Sequence, residues 1–143
     1  MVRTYGLTHV ALSVRNLRRS SRFYQALLGA RVVYEGPAFV QLQTPGTRDV
    51  IVLERRPKGA GTSGGIAHFG FRLRRASDIG RAIEAVRSAG GRVKSDGEFV
   101  PGEPYVFASD PDGYEIELWY ELPTPVDPGR RRAKPEQRAS QRV

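Results

Sequence analysis

The chain has 143 residues, is 39% hydrophobic and 27% charged, and contains no cysteine. A chain of this length makes one globular domain that buries roughly 68% of its unfolded surface. Without cysteine there is no disulfide framework, thiolate metal site, iron–sulfur cluster or cysteine nucleophile, so any metal must be held by His, Asp or Glu.

The N-terminal stretch MVRTYGLTHVALSV has no apolar secretory core, and no segment approaches the ~20 apolar residues of a membrane span. A cytoplasmic protein with no membrane partner is expected. The formal charge of +8 is concentrated at the C-terminus, where residues 128–143 hold Arg130, Arg131, Arg132, Lys134, Arg138 and Arg142 against Glu136. That stretch has no aromatic to stack on a base, so it is expected to be a disordered, solvated tail rather than a nucleic-acid arm. Residues 1–127 form the folded domain.

In chain order, Val10, Leu12 and Val14 alternate with His9, Ala11 and Ser13, the pattern of a half-buried strand. Asn16 is placed to cap a helix through Leu17, Phe23, Tyr24, Leu27 and Leu28 that ends at Gly29. Three strands follow, in ARVVYEG, AFVQLQT and DVIVLER, separated by Gly36-Pro37 and Pro45-Gly46. The small-residue loop KGAGTSGG leads to a second alternating segment, His68 to Leu73. Asp78 is placed to cap a helix through Ile79, Ile83 and Val86 that stops at Gly90-Gly91. Strands around GRVKSDG, EPYVFAS and YEIELWYE complete the chain, with the turn Asp110-Pro111-Asp112-Gly113 before the last.

The second half repeats the first. His9 and His68 are 59 residues apart, Gly29 and Gly90 are 61 apart, and Val50 and Glu115 are 65 apart, so the offset grows only through loops. The predicted fold is α+β, with two βαβββ modules, 6–57 and 66–122, forming a curved mixed-sheet cup.

Both histidines of the chain fall on equivalent positions of the first strand of each module, on the face away from the helix. On the last strand Ile116 and Leu118 match the helix-facing set, so Glu117 joins the histidine face. Each residue alone also reads as an ordinary half-buried side chain. Together they make a 2-His-1-carboxylate set, which leaves about three positions of an octahedral metal open for substrate and water.

These segments resemble the vicinal oxygen chelate superfamily, the group of glyoxalases, bleomycin-resistance proteins and extradiol dioxygenases. The resemblance lies in GLTHVALSVRNLRRSSRFYQALLGA, in the second histidine of GIAHFGF and in the closing DPDGYEIEL. It implies a cup around one divalent metal held by His9, His68 and Glu117, with iron(II) expected first and manganese, nickel or zinc as alternatives. It also implies a small-molecule substrate that chelates the ion through adjacent oxygens, and a homodimer whose active site either lies in one chain or is shared between two.

Departures from the branches of the family narrow the chemistry. Glyoxalase I enzymes carry a fourth ligand, a Glu at the position that is Val52 here. Extradiol dioxygenases add a further His and a Tyr ten residues before the carboxylate, where this chain has Phe107. Tyr105 is then the candidate acid or base on that face, and Arg72, on the His68 face, is a second candidate catalytic residue and a candidate for an anion site. Fosfomycin-resistance thiol transferases share the three ligands, whereas bleomycin-type binders keep the fold without metal. Phe39, Gln41, Phe107 and Trp119, with Ser13, are expected to line the cup and to favour a flat, oxygenated, aromatic substrate. Glu115 shares the ligand face and reads equally as a solvated strand-end group. Dioxygenase-like chemistry is expected first, lyase, isomerase or thiol-transfer chemistry second, and non-enzymatic sequestration of a drug is the alternative from another class.

Overall fold

Alternation of Val10, Leu12 and Val14 with smaller polar residues produces strand β1 (His9–Val14), where Leu12 and Val14 are buried and His9 and Ala11 exposed. The chain is seen in a computed structural model that describes residues 1–125 and 127, so the basic tail expected at 128–143 lies outside the described residues. Helix α1 (Leu17–Leu28) opens on Asn16, whose side chain accepts from the Arg19 N–H at 2.9 Å, and closes on Gly29 at φ 65°. Phe23 and Tyr24, on its inner face, are essentially fully buried. Each such side chain is worth about 1.5–3 kcal/mol of burial.

Strands β2 (Arg31–Glu35), β3 (Phe39–Gln43) and β4 (Val50–Arg55) follow, and the first sheet has the order β1-β4-β3-β2. β1 runs parallel to β4, with His9 opposite Val50 and Ala11 opposite Val52. The other strand pairs in the sheet are antiparallel.

The second module repeats this plan. β5 (Phe69–Arg72), α2 (Ile79–Ser88), β6 (Arg92–Glu98), β7 (Pro104–Ser109) and β8 (Glu115–Trp119) form a sheet of order β5-β8-β7-β6. The predicted elements are all present, with one correction. Asp78 stands at the start of α2 but makes no capping hydrogen bond, because a 3-10 turn over Ala76–Asp78 already puts it in helical conformation. Its carboxylate faces Arg75 and Arg81 instead.

The two modules are joined by α1 and the turn before β8. Asp110 accepts from the Tyr24 hydroxyl at 2.7 Å, and Asp112 accepts from the Ser20 hydroxyl at 2.7 Å and from Arg19 at 2.9 Å. Tyr114 donates to the Ser13 carbonyl at 2.8 Å. Gly91 has no room for a side chain, since a Cβ there would stand 2.7 Å from the Phe23 ring. Burial pushes the Tyr24 phenol well up from its ordinary range, with Asp110 adding to the effect. Burial also pushes the Asp110 carboxyl up, against the hydrogen bonds from Tyr24 and three backbone N–H groups. Among the described residues no helix is long and apolar enough to cross a membrane.

Candidate metal and ligand site

In a parallel pair of strands, residues opposite one another share a face. Gly70 lies opposite Glu117 and Arg72 opposite Trp119, while Phe107 and Tyr105 on β7 lie opposite the same two β8 residues. One face of the second sheet therefore carries Arg72, Glu117, Trp119, Phe107 and Tyr105, with His68 at its entrance. The other face sends Ile116 and Leu118 into the core.

His68 Nε2 and Glu117 Oε2 stand 3.2 Å apart. Glu117 is only 8% exposed, and His68 is its one ion-pair partner among the described residues. Gly70 lies directly beside the pair: a Cβ there would stand 3.4 Å from the carboxylate oxygen, in ordinary van der Waals contact. An imidazole nitrogen facing a nearly buried carboxylate is a donor pair suited to a divalent cation.

Aromatic rings wall the pair. Phe107 meets the His68 ring edge to face at 5.0 Å, and Phe99 stacks on Tyr105 at 4.2 Å. Tyr105 also contacts Phe107 at 5.5 Å. The Tyr105 hydroxyl lies over Gly97, 3.1 Å from where a Cβ would be. Since β6 flanks β7 on the side away from β8, that hydroxyl is turned away from Glu117. Phe99 was not anticipated from sequence, because it follows β6 in an irregular turn; a half-exposed aromatic beside Pro101-Gly102 was the available signal.

The first sheet presents the equivalent face. His9 and Ser13 on β1, Phe39 and Gln41 on β3, and Val52 on β4 share it. Phe39 stacks on Tyr34 at 4.7 Å. His9 and His68 both line a groove of about 840 Å³ that runs past β1, β5 and the two helices. Within one chain His9 does not join His68 and Glu117: among the described residues no group of three His, Asp or Glu side chains stands close enough to hold a metal ion. The structure thus brings His68, Glu117, Phe107, Tyr105 and Trp119 together and leaves His9, Ser13, Phe39 and Gln41 on the other sheet. Glu115 is engaged by Lys94, and Arg72 is held by Asp127 and Glu121.

Residues 6–118 match the model of the Glyoxalase/Bleomycin resistance protein/Dioxygenase superfamily. The chain belongs to this superfamily. It is 34% identical over 122 residues to a lactoylglutathione lyase of Haemophilus influenzae, covering 78% of this chain and 90% of that protein. It is 28% identical over 123 residues to a catechol-2,3-dioxygenase of Bacillus subtilis, a match covering 81% of this chain. It spans only 42% of that dioxygenase, and less than half of two plant relatives. Among solved structures, the fosfomycin resistance protein FosX of Listeria monocytogenes superimposes with a TM-score of 0.71 at 19% identity, covering 84% of this chain and 96% of that one. That likeness concerns the fold. The superfamily therefore includes a dioxygenase, lyases and a resistance protein on one architecture, and relatives of this chain are enzymes.

Proposed function

We propose that this superfamily member is a metal-dependent enzyme with dioxygenase-like chemistry, acting on a small aromatic substrate that carries adjacent oxygens. The observation that carries the reading is the His68–Glu117 pair set against the wall of Phe107, Tyr105 and Trp119. His9, His68 and Glu117 would hold the cation, with iron(II) first and manganese, nickel or zinc as alternatives. Because His9 stands apart from the other two in one chain, the set closes across a homodimer, His9 of one protomer joining His68 and Glu117 of its partner. The bound ion supplies Lewis-acid polarisation and open coordination positions.

The protein's own residues orient the substrate. The rings of Phe107, Tyr105 and Phe99 offer faces and edges on which an aromatic ring stacks. Tyr105 acts as part of that wall, since its hydroxyl is turned over Gly97. A second reading, a lyase or isomerase, is favoured by the near full-length match to the Haemophilus influenzae lyase. Against it, the first sheet offers Val52 where a fourth carboxylate would serve as base.

The test is elemental analysis of protein purified without oxygen or added chelator, with His68→Ala and Val52→Ala alongside. About one iron per chain in the parent and in Val52→Ala, lost from His68→Ala with an unchanged circular dichroism spectrum, is the expected result. Full metal occupancy in His68→Ala would refute the ligand assignment. No metal, and none taken up on titration, would leave a ligand-binding protein.

A further inference from the structure

Arg72 has an arrangement that the ligand set does not explain. It stands on the same sheet face as Glu117, and its guanidinium is aimed at the chain that leaves β8. Its two terminal nitrogens donate to the two carboxylate oxygens of Asp127, Nη1 to Oδ1 at 2.7 Å and Nη2 to Oδ2 at 2.9 Å. Nη2 also donates to the carbonyls of Glu121 at 3.1 Å and Leu122 at 3.5 Å, and Nη1 lies 3.5 Å from the Glu121 carboxylate. Asp127 in turn accepts from the backbone N–H and hydroxyl of Thr124 at 3.1 and 3.0 Å. Residues 121–125, with Asp127, thus form a strap that turns back to Arg72 at the rim of the ligand face.

The fork-to-fork geometry is how guanidinium recognises a free carboxylate. Arg72 lies two residues along β5 from Gly70, about 7 Å at the strand rise, and Gly70 faces Glu117. A ring chelated near Glu117 through adjacent oxygens would bring a ring carboxylate toward Arg72. The pair is also exposed enough to exchange: the two side chains are 35% and 28% accessible, and such pairs contribute little net stability in water.

We propose that Arg72 is the anchor for a carboxylate on the substrate, and that Asp127 occupies this anchor until an anionic aromatic ligand displaces the strap. This rests on the reading of the His68–Glu117 face as the ligand site, and it adds the substrate's charge and a gate of the chain's own making. The clasp is made at neutral pH, because the hydrogen bonds from Arg72 hold the Asp127 carboxyl well below the usual carboxylate range. A purely structural clasp would stabilise the strap without competing with any ligand, and the two roles separate on binding.

Trp119 is the single tryptophan of the chain and sits opposite Arg72 in the β5–β8 register, so its fluorescence reports on this rim. Benzoate and its uncharged counterpart benzamide are titrated into the full-length protein as purified, the parent beside Asp127→Asn and Arg72→Gln. Benzoate is expected to bind Asp127→Asn about fivefold more tightly than the parent, the upper end for removing an exposed ionic competitor. Benzamide affinity stays the same in all three, and Arg72→Gln loses the preference for benzoate. Equal benzoate affinity in the parent and Asp127→Asn, or a preference retained by Arg72→Gln, would overturn the proposal. The readout is binding, so it fails separately from the metal reading. Metal-free protein that still shows the gain retracts the metal alone, and metal-loaded protein without it retracts the strap.

Discussion

Replacing Tyr24 by Phe removes one hydroxyl from the junction between the modules and leaves the ring in place. Tyr24 is fully buried and Asp110 is 4% exposed, so water cannot replace the lost donor. Asp110 Oδ1 keeps its three backbone donors, Asp112, Gly113 and Tyr114, at 2.9, 2.9 and 3.0 Å. Oδ2 loses the Tyr24 hydroxyl that donated at 2.7 Å. A charge-assisted hydrogen bond of this kind is worth about 2 kcal/mol, against about 1 kcal/mol when the acceptor is a neutral carboxyl.

Tyr24→Phe is therefore expected to lose about 2 kcal/mol at neutral pH, a fall of about 6 °C in Tm for a chain of this size. The pH dependence has a fixed sign. Burial raises the folded-state pKa of Asp110, so its contribution to stability is full below the unfolded carboxylate range, near 3.9, and is lost as pH rises through the raised value. The Tyr24 bond lowers that pKa, so the variant's Asp110 titrates higher still and loses more. The gap between parent and variant opens as pH rises through the two folded-state values and narrows toward about 1 kcal/mol near pH 4. Urea unfolding followed by circular dichroism at neutral pH and near pH 4 measures both gaps. A neutral-pH loss under about 0.5 kcal/mol, or a gap that widens on acidification, would refute the reasoning.

Further outcomes follow from the backbone. Gly61 has φ +84°, and a Cβ there would lie 2.1 Å from the Asp112 carbonyl oxygen, so Gly61→Ala should cost about 3 kcal/mol, read as a lower calorimetric Tm. Asn16→Ala removes a made cap and should cost about 1 kcal/mol in urea unfolding, whereas Asp78→Ala, which removes none, should stay within about 0.5 kcal/mol.

Most of the fold was legible because it is written in local patterns. Val10, Leu12 and Val14 at period two, Asn16 and Gly29 at the ends of a helical stripe, and the repetition of the whole series give both modules. Asp78 failed as a cap because the sequence does not announce that the chain enters α2 through a 3-10 turn. The facing of Glu117 and Phe107 was readable from strand parity alone. The partners of Arg72 and Tyr24 were not, since they lie 55 and 86 residues away, in segments whose own patterns carry no sign of the contact. Nor does either module's pattern say how the two sit together. Contacts between α1 and residues 110–114 decide that, and they leave His9 apart from His68 and Glu117.

The register of the two sheets shows how unequally the duplicated faces have specialised. Val52 pairs with Ala11 and Gln41 as Glu117 pairs with Gly70 and Phe107. By the same register Phe39 corresponds to Tyr105, and Ser13 to Arg72. The second module thus holds the carboxylate and the cation where the first holds Val52 and Ser13, while His9 and His68 remain equivalent. A carboxylate at Val52 would put a further negative charge on a half-buried face that already carries Glu54, where it would need its own partner. In the proposed site, one carboxylate with two imidazoles would leave a divalent cation with net positive charge, which would attract an anionic, oxygen-rich ligand more strongly than a four-ligand set with two carboxylates. The arginine two residues beyond Gly70 has the sign to favour the same ligand.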